Sequence, residues 1–312
     1  MYRTYRPKTF AEVIGQDHIT QTLINQIKGD RIAHAYLFCG SRGTGKTSVA
    51  KIFAREINKN APNAELDTFE IDAASNNSVQ DVRDIIDRVK YPPVGGQYKV
   101  YIIDEVHMFS GSAFNAFLKT LEEPPSHVIF ILCTTEPHKL IPTVQSRCLR
   151  FDFRPVSTAL LEAHVKNILT KENKKASGEA VKMLATAGAG SVRDTLSFLE
   201  TALGYKPDGE LAAQDVAQIL GSVNTDILEE LLTNIIKKDL AKITATVDTI
   251  FSRGINAAML VKNFLDVIKG HMLKEPTKYG NVFRIFSELE LAIKNSTDVR
   301  AYFENTALLA SV

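Results

Sequence analysis

The first half of the chain alternates short apolar runs with segments in which apolar residues recur every three or four positions. The runs at 35–40, 99–104 and 127–135 are almost uninterrupted, which is typical of strands covered on both faces. Amphipathic spacing over 47–57 and 112–123 predicts helices between them. Strands that alternate with helices predict an α/β fold with a parallel sheet.

Further elements complete this pattern. A short segment at 68–72 is a further predicted strand. Residues 79–89 form an amphipathic helix pattern that Ser78 precedes as an N-cap, although the fit to a capping box is loose. The stretch YPPVGGQY at 91–98 predicts a loop, because proline and glycine interrupt regular structure.

The character of the chain changes after residue 153. Three helical patterns follow, at 157–173, 177–188 and 191–205, with no strand predicted between them. The segment KPDGE at 206–210 resembles a linker, and from about residue 220 nearly everything is amphipathic helix. The later helical patterns cover 225–254, 256–273, 281–295 and 299–312. We therefore predict three domains, namely an α/β domain at 1–156, a small three-helix domain at 157–220 and an all-α domain at 221–312.

Composition narrows the classes of protein. The chain has 312 residues, 45% of them apolar, and a formal net charge of +1, so a sizeable core is expected and no global basic field attracts nucleic acid. Cys39, Cys133 and Cys148 lack metal-ligand spacing and lie in apolar runs, so we expect buried thiols. No apolar run approaches the roughly 18 residues of a membrane span, and MYRTYRPKTF lacks a signal-peptide core. These features predict a soluble cytoplasmic protein.

GSRGTGKT, residues 40–47, fits the phosphate-loop pattern G-x-x-x-x-G-K-[ST] and lies between a predicted strand and a predicted helix. Glycines let backbone N–H groups surround phosphate oxygens, and the helix N-terminus adds positive charge. Lys46 is predicted to reach the β- and γ-phosphates of ATP, and Thr47 to place its hydroxyl on Mg²⁺. The predicted phosphate-binding residues are Gly40, Ser41, Arg42, Gly43, Thr44, Gly45, Lys46, Thr47 and Ser48.

KVYIIDEVH, residues 99–107, supplies a second half of the site. Its strand ends in two carboxylates at the sheet edge where ligands bind in open α/β folds. Asp104 is predicted to hold Mg²⁺, directly or through water. Glu105 is predicted to orient and polarise the attacking water. His107 is either part of this site or an ordinary loop histidine.

Several motifs occur in a fixed order along the chain: GSRGTGKT, DEVH, TT at 134–135, SRC at 146–148 and GSVRD at 190–194. Together they resemble the AAA+ ATPases. The stretches YRPKTFAEVIGQDHI, EIDAASNNSVQDVRDI and LEEPP resemble more closely the gamma/tau family of bacterial DNA polymerase III, the motor of the sliding-clamp loader. This resemblance runs almost unbroken through the first two predicted domains and extends to the third by position and helical character only.

The resemblance implies roles for three further residues. Arg147 would be an arginine finger that acts on the ATP of a neighbouring subunit, whereas the alternative is an ordinary surface or ion-paired arginine. Thr135, or its neighbour Thr134, would sense the γ-phosphate, whereas the alternative is a β-favouring pair that closes a strand. Arg193 would be a second sensor, and its alternative is a solvated charge paired within its own helix.

The N-terminal segment also matches the family. The resemblance implies that Tyr5, Arg6, Pro7, Val13 and Ile14 surround the adenine, with structural packing as the alternative for each of them. Family members usually carry a four-cysteine zinc module before the EIDAAS strand. Residues 56–72 contain neither cysteine nor histidine, so we predict no structural zinc. The chain ends at Val312, so the long tail of the tau form is not expected.

The function implied by the resemblance is that of an ATP-hydrolysing motor subunit that opens a ring clamp and loads it onto primed DNA. The small helical domain would be a lid and the C-terminal helices a collar, although their apolar faces could equally form one monomeric core. Implied partners are delta- and delta-prime-like subunits, the sliding clamp and primed DNA, in a hetero-pentamer or self-oligomer. Alternatives are another AAA+ ATPase of DNA repair or recombination, or a non-hydrolysing scaffold subunit. No polymerase chemistry is expected.

Overall fold

The computed structural model describes residues 1–59, 61, 63–221, 225–252, 257–292 and 298–311. Contacts group the chain into two compact units. The first comprises Met1–Asn173 and Leu184–Glu200, and the second comprises Lys174–Met183 and Thr201–Val312. The three domains at 1–156, 157–220 and 221–312 stay a prediction, because this grouping distinguishes two units and divides the middle segment between them.

A five-stranded parallel sheet forms the centre of the first unit. Its strands are β1 (Ala35–Cys39), β2 (Thr68–Asp72), β3 (Lys99–Asp104), β4 (Val128–Thr134) and β5 (Leu149–Asp152). They lie in the order β2-β3-β4-β1-β5, and every neighbouring pair is parallel. The predicted parallel α/β sheet is therefore confirmed, and the four predicted strands, at 35–40, 68–72, 99–104 and 127–135, are all present. The fifth strand, β5, was not predicted.

Helices cover both faces of this sheet. In the first 150 residues they are α1 (Asp17–Lys28), α2 (Lys46–Ile57), α3 (Val79–Val89), α4 (Gly111–Glu122) and the short α5 (Pro142–Gln145). Alternate strand residues point to opposite faces. Tyr36 therefore meets Phe53 of α2 at 4.9 Å between ring centroids, while Phe130 meets Phe117 of α4 on the other face, also at 4.9 Å. Burial on both faces explains why these strands are almost entirely apolar.

The N-terminus of α3 has the cap that its sequence suggested only weakly. The Ser78 hydroxyl accepts the backbone N–H of Asp81 at 3.2 Å, and the Asp81 carboxylate accepts the backbone N–H of Ser78 at 3.0 Å. An aspartate thus completes a reciprocal capping box in which glutamate or glutamine is usual. The loop predicted at 91–98 is a loop in the structure.

The segment after the sheet contains α6 (Thr158–Lys171), α7 (Gly178–Ala187) and α8 (Val192–Tyr205), all as predicted. The expectation of no strand between them is wrong. A two-residue strand, β6 (Lys175–Ala176), precedes α7 and pairs in parallel with β7 (Glu210–Leu211), inside the second unit. β7 also takes the last residue of the predicted linker at 206–210. Two-residue strands have no periodicity, so a pattern of apolar positions cannot show them.

The second unit is largely helical. Its helices after β7 are α9 (Ala213–Leu220), α10 (Thr225–Ile236), α11 (Leu240–Phe251), α12 (Ala257–Met272), α13 (Pro276–Ala292) and α14 (Val299–Ala310). Phe264, Phe286 and Phe303 meet at the centre of its core, with ring centroids 4.7–6.2 Å apart. Residues 253–254, 256, 293–295 and 312 of the predicted helical patterns lie outside the described residues.

One predicted helical run is interrupted. The pattern over 225–254 is continuous, yet α10 ends at Ile236 and α11 starts at Leu240. Lys238 has a φ of 59°, which is incompatible with a continuing right-handed helix, and the Asp239 carboxylate accepts the backbone N–H of Lys242 at 3.2 Å. The N-cap aspartate therefore starts a new helix.

Two other expectations concern burial. Cys39 and Cys133 are fully buried free thiols as expected, whereas Cys148 is half-buried. Burial raises the pKa of Cys39 to about 11 and that of Cys148 to about 12, so both remain protonated at neutral pH. Within the described ranges, no helix combines the length and apolar character that crossing a membrane requires.

Candidate functional site

The loop between β1 and α2 has the backbone that its glycines permit. Gly43 and Gly45 have φ values of 75° and 103°, in the left-handed region that favours glycine. A Cβ on Gly43 would also lie 2.0 Å from the hydroxyl oxygen of Ser191, so this position has no room for a side chain. The loop therefore packs closely against the residues that precede α8.

Lys46 begins α2 with its side chain folded over this loop. Its ammonium group donates to the carbonyl oxygens of Gly40 at 2.8 Å and Ser41 at 2.9 Å, and only 6% of the residue is exposed. Burial lowers the pKa of Lys46 from its ordinary value. The charge is thus held at the loop, where a phosphate can replace the carbonyl oxygens as its partner.

Thr47 and Asp104 meet at the edge of the loop. The Thr47 hydroxyl donates to Oδ2 of Asp104 at 2.8 Å, and the other carboxylate oxygen accepts the backbone N–H of Glu105 at 3.0 Å. Mg²⁺ in nucleotide sites uses one or two protein oxygens, with water and phosphate oxygens as its remaining ligands. This pair of oxygen donors fits that ion. The described residues contain no cluster of three or more histidine, cysteine, aspartate or glutamate side chains suited to a metal.

Glu105 follows β3 with an unusual backbone conformation. Its φ is 48°, a left-handed value that is uncommon for a residue with a side chain. Oε2 of its carboxylate accepts the Thr135 hydroxyl at 3.0 Å and the Thr135 backbone N–H at 3.3 Å. The end of β4 therefore fixes the direction of this carboxylate.

His107 lies within the same hydrogen-bond network, with 7% of its side chain exposed. Its Nδ1 is 3.1 Å from the Thr134 hydroxyl and 3.4 Å from Oε2 of Glu105, while its Nε2 is 3.0 Å from a carboxylate oxygen of Glu136. The two neighbouring threonines are thus distinct. Thr135 contacts Glu105, whereas Thr134 is fully buried and contacts His107.

A cleft of about 820 Å³ opens in front of these groups, and all of its lining residues belong to the first unit. The predicted residues that line it are Tyr5, Arg6, Pro7, Val13, Ile14, Arg42, Gly43, Thr44, Gly45, Lys46, Thr47, Ser48, Asp104, Glu105 and Arg193. The predicted residues Gly40, Ser41, Thr134, Thr135 and Arg147 are not part of this lining in the described chain. Of these, Gly40 and Ser41 bind Lys46, and Thr135 binds Glu105.

The N-terminal segment contacts several elements of the first unit. Nε of Arg6 donates to the Ser48 hydroxyl at 3.0 Å, and the Tyr5 hydroxyl donates to the Glu172 carboxylate at 2.5 Å. Val13 packs against the core between the sheet and α1–α2, and Ile14 against a smaller cluster that includes Leu161 of α6. The predicted adenine-binding residues therefore have structural contacts as well as positions on the cleft.

Arg193 lies on the wall of the cleft at the start of α8. Its guanidinium carbon is 5.2 Å from the ring centroid of Tyr2, and the neighbouring Val192 donates its backbone N–H to the Gly43 carbonyl at 3.1 Å. The Glu200 carboxylate binds the N-terminal ammonium group at 2.6 Å. The GSVRD motif thus lies directly against the phosphate loop.

Arg147 lies between α5 and β5, away from this cleft. Its Nη1 donates to the Thr143 carbonyl at 2.7 Å, and its Nη2 pairs with the Glu122 carboxylate at 2.5 Å, with 33% of the side chain exposed. Within one chain it is therefore an ion-paired arginine. The partners leave one third of the side chain accessible to another molecule.

Several cleft residues were missed by the sequence analysis, namely Tyr2, Arg3, Glu12, Glu70, Asp72, Ala74, His164, Val192 and Leu196. A fully buried glutamine was missed as well. Gln16 donates to the Arg154 carbonyl at 2.7 Å and the Thr44 carbonyl at 3.4 Å, and it accepts the Arg154 N–H at 3.2 Å. The only local sign of this role is a polar residue directly before a helix, which is too common to be specific.

The fold and this site define a P-loop ATPase of the AAA+ class. The solved structure of the Thermotoga maritima RuvB Holliday junction branch migration motor matches with a TM-score of 0.58, at 17% identity over 84% of this chain and 90% of that one. At this identity the likeness shows the fold alone.

Comparisons of sequence identify the family. Family models match for the DNA polymerase III delta subunit at 15–74 and 63–157, the DNA polymerase III clamp loader subunit ATPase lid domain at 160–206, and domain III of DNA polymerase III subunits gamma and tau at 211–275. The chain belongs to the gamma/tau family of DNA polymerase III subunits, as the motifs had indicated.

Three relatives illustrate the match. DNA polymerase III subunit tau of Bacillus subtilis is 40% identical over 92% of this chain and 56% of its own length, and that of Escherichia coli is 36% identical over 97% and 50%. DNA polymerase III subunit gamma of Buchnera aphidicola is 33% identical over 98% of this chain and 89% of its own. The chain thus spans about half the length of the two tau relatives.

Proposed function

We propose that this chain binds and hydrolyses ATP as a motor subunit of a sliding-clamp loader. The observation that carries the proposal is the convergence on one cleft of Lys46 at the phosphate loop, the Thr47–Asp104 pair and the Thr135-bound Glu105. These are the positioned charges that phosphoryl transfer requires. Family membership supports the assignment to clamp loading.

The phosphate-binding end of the cleft has separate groups for each part of the triphosphate. Backbone N–H groups of residues 42–48 and the N-terminus of α2 favour the negative phosphates, and Lys46 adds a full charge. Thr47 and Asp104 would hold Mg²⁺, which neutralises charge on the phosphate oxygens when it is bound. The loop glycines, with Gly43 against Ser191, keep side chains out of this space.

Glu105 is the proposed base and positioning group for the attacking water. A carboxylate held by the Thr135 hydroxyl and N–H has a defined direction, and attack in line with the scissile bond depends on direction. Thr135 is proposed to sense the γ-phosphate through this contact. Thr134 serves instead as a buried support for His107.

Two arginines are proposed to complete the charge balance. Arg193 would reach the phosphates from the start of α8, after exchanging its contact with the Tyr2 ring for one with phosphate. Arg147 lies outside its own cleft, so it would act on the nucleotide of a neighbouring subunit, after leaving Glu122. Both exchanges replace an existing partner by a more highly charged one.

The proposed cycle couples these contacts to clamp loading in the cytoplasm. ATP would favour an arrangement of subunits that holds an open clamp on primed DNA, and hydrolysis would release both, since a ligand shifts an equilibrium only through contacts that differ between its states. Proposed partners are delta- and delta-prime-like subunits, the clamp and primed DNA, in a hetero-pentamer or a self-oligomer. The segment 157–220 is the proposed lid and 221–312 the proposed collar.

The proposal is tested by ATP turnover of the purified chain with its loader partners, measured with and without clamp and primed DNA. We expect clamp and primed DNA to increase turnover, and Lys46→Ala to abolish it. Lys59→Ala is a matched control, because Lys59 is an exposed lysine just after the same helix. Absence of turnover in the complete loader would favour a non-hydrolysing scaffold, and turnover indifferent to clamp and DNA would exclude the loader function.

A further inference from the structure

His164 of α6 has a buried nitrogen without a partner. His164 is one of the residues that line the cleft, and its Nε2, which is closed to solvent, has no hydrogen-bond partner within the described chain. Among the described residues, the other buried side-chain atom in this condition is the Tyr101 hydroxyl, which lies among aromatic rings of the sheet core. Most buried polar atoms in proteins are paired, so an unpaired one on the wall of a ligand cleft suggests that the ligand is its partner.

Polar and apolar side chains share the lining of the cleft. It contains phosphate-binding and acidic groups, including Lys46 and Asp104, and apolar walls contributed by Tyr5, Val13, Ile14 and Leu196. Tyr5 and Ile14 lie next to α6, through contacts with Lys171 and Leu161. A flat purine suits apolar walls, and the polar atoms among them decide which purine is accepted.

Contacts along α6 place His164 on the side of that helix that faces the N-terminal segment. Leu161, almost one turn before it, packs in a cluster with Ile14. Lys171, two turns after it, has its ammonium group 5.9 Å from the ring centroid of Tyr5. Residues three and seven positions apart share one side of a helix. His164 therefore lies beside the apolar walls.

Burial, and next the nearby charge of Lys171, lower the pKa of His164 from its ordinary value, which favours the neutral imidazole. A neutral imidazole has one N–H donor and one lone pair. With the proton on Nδ1, the buried Nε2 is a hydrogen-bond acceptor. Adenine offers an amine donor at the position where guanine has a carbonyl oxygen.

We propose that His164 carries its proton on Nδ1, so that Nε2 accepts a hydrogen bond from the exocyclic amine of the bound base and thereby selects adenine over guanine nucleotides. The inference rests on the proposed function, because it takes the phosphates to lie at Lys46. It adds a specificity-determining residue on α6, outside the phosphate loop and the N-terminal segment. Guanine would place its oxygen against the lone pair, and purine riboside would leave Nε2 unpaired.

The test is a double-mutant cycle between protein and ligand. Affinities of ATP, GTP and purine riboside triphosphate are measured by competition with a fluorescent ATP analogue, for the full chain and for His164→Leu. We expect removal of the amine to weaken binding to the wild type about tenfold, the usual effect of one lost hydrogen bond. The variant should bind ATP about tenfold more weakly, and amine removal should then cost it nothing further.

Two more variants and one control define the result. His164→Phe keeps a flat ring without the acceptor and should behave as His164→Leu does. His164→Gln restores an acceptor and should restore the preference for the amine. His34→Leu is a matched control on an exposed histidine and should bind all three ligands as the wild type does. Melting temperatures of each variant establish that the fold is intact.

The outcomes separate the two proposals. A wild-type chain that binds none of the three triphosphates contradicts the proposed function itself. In the other case the chain binds ATP, but the loss of affinity from His164→Leu and the loss from amine removal add. His164→Leu then keeps the full tenfold penalty for amine removal, and only the role of His164 is overturned. Equal affinity of the wild type for ATP and purine riboside triphosphate overturns it as well, even if the variants fail to fold.

Discussion

The hydroxyl of Thr135 donates to the carboxylate of Glu105 at 3.0 Å, and the backbone N–H of Thr135 lies 3.3 Å from the same oxygen. The two residues follow neighbouring strands, β3 and β4, whose carboxyl ends meet at one edge of the sheet. These two hydrogen bonds fix the carboxylate of Glu105, a residue whose backbone is strained, with a φ of 48°. Strain of this kind is retained where the surrounding structure requires it.

Replacing Thr135 by valine should lower the ATP turnover number about tenfold, because one of the two hydrogen bonds that orient Glu105 is lost. Affinity for ATP should change little. Steady-state turnover and equilibrium binding by the assembled loader measure the two effects. Thr135→Ser keeps the hydroxyl and should retain most of the activity, whereas an unchanged rate in Thr135→Val would show that the contact is not used.

Glu105→Gln should bind ATP and fail to hydrolyse it. Loss of a general base lowers rates by about 10²–10⁴-fold, and glutamine preserves the shape of the side chain. A nucleotide filter-binding assay beside a phosphate-release assay measures both properties. Glu123→Gln changes an exposed glutamate elsewhere on the first unit and should hydrolyse normally. Rapid hydrolysis by Glu105→Gln would remove this residue from the mechanism.

Arg147→Ala should leave ATP binding intact and lower turnover by about 10³-fold, within the range known for arginine fingers. Because Arg147 lies outside its own cleft, its loss should be complemented by another chain. A mixture with Lys46→Ala chains should regain turnover, since each variant supplies what the other lacks. Arg150→Ala removes a nearby exposed arginine, paired with Asp152, and serves as the control. Equal loss of activity with and without mixing would contradict action between subunits.

Tyr2→Leu should strengthen ATP binding by about two- to fivefold. The ring of Tyr2 lies 5.2 Å from the Arg193 guanidinium, and exposed cation–π contacts are worth about 0.5–1 kcal/mol. Removing the ring frees Arg193 for phosphate. Binding of ATP and of AMP, titrated on the same chain, separates a phosphate effect from a base effect. Similar gains for both nucleotides would contradict this explanation.

The first unit should lose stability in acid, because Asp67 becomes protonated there. Its carboxylate is fully buried, which raises its pKa, but the N–H groups of Gly95, Val94 and Gly96 outweigh burial and hold the pKa below its ordinary value. Ionised Asp67 therefore stabilises the folded chain fully above the unfolded-state pKa of aspartate, about 3.9. This stabilisation is lost as the pH falls through the lower pKa that Asp67 has in the folded chain.

The corresponding variant is Asp67→Asn. It should lower the melting temperature at pH 7 by several degrees, because hydrogen bonds to a charged group contribute about 1.5–3 kcal/mol. The melting temperature should also depend less on pH between about 5 and 2. Thermal unfolding followed by circular dichroism measures both effects. Asp208→Asn alters an exposed carboxylate and should reproduce the wild-type curve.

The local pattern of apolar residues and glycines was sufficient to predict those elements of the fold that are regular over several residues. β3 and β4 are buried on both faces, so their sequence is continuously apolar. The phosphate loop is recognised from the spacing of its glycines. The interruption between α10 and α11 was missed, because apolar spacing continues across it. Lys238 and Asp239 give only a weak sign of a turn.

Contacts between distant residues account for what the sequence analysis could not predict. Gln16 joins Thr44 to Arg154, and a polar side chain carries no mark of partners far along the chain. His164 was overlooked for the same reason, since its proposed role depends on a buried nitrogen without a partner among the described residues, which only the fold reveals. The ion pair of Arg147 with Glu122 is likewise visible only when α4 and the SRC motif are brought together.

The close approach of Gly43 to Ser191 links two motifs that are remote in the chain. Their fit leaves no space for a methyl group on Gly43, so the substitutions tolerated at one of these positions depend on the residue at the other. Among genetic suppressors of a Gly43→Ala defect, Ser191→Gly should recur, and its rescue should be incomplete because the φ of 75° still disfavours alanine. A substitution in the glycine loop is therefore expected to require a compensating change at the start of α8.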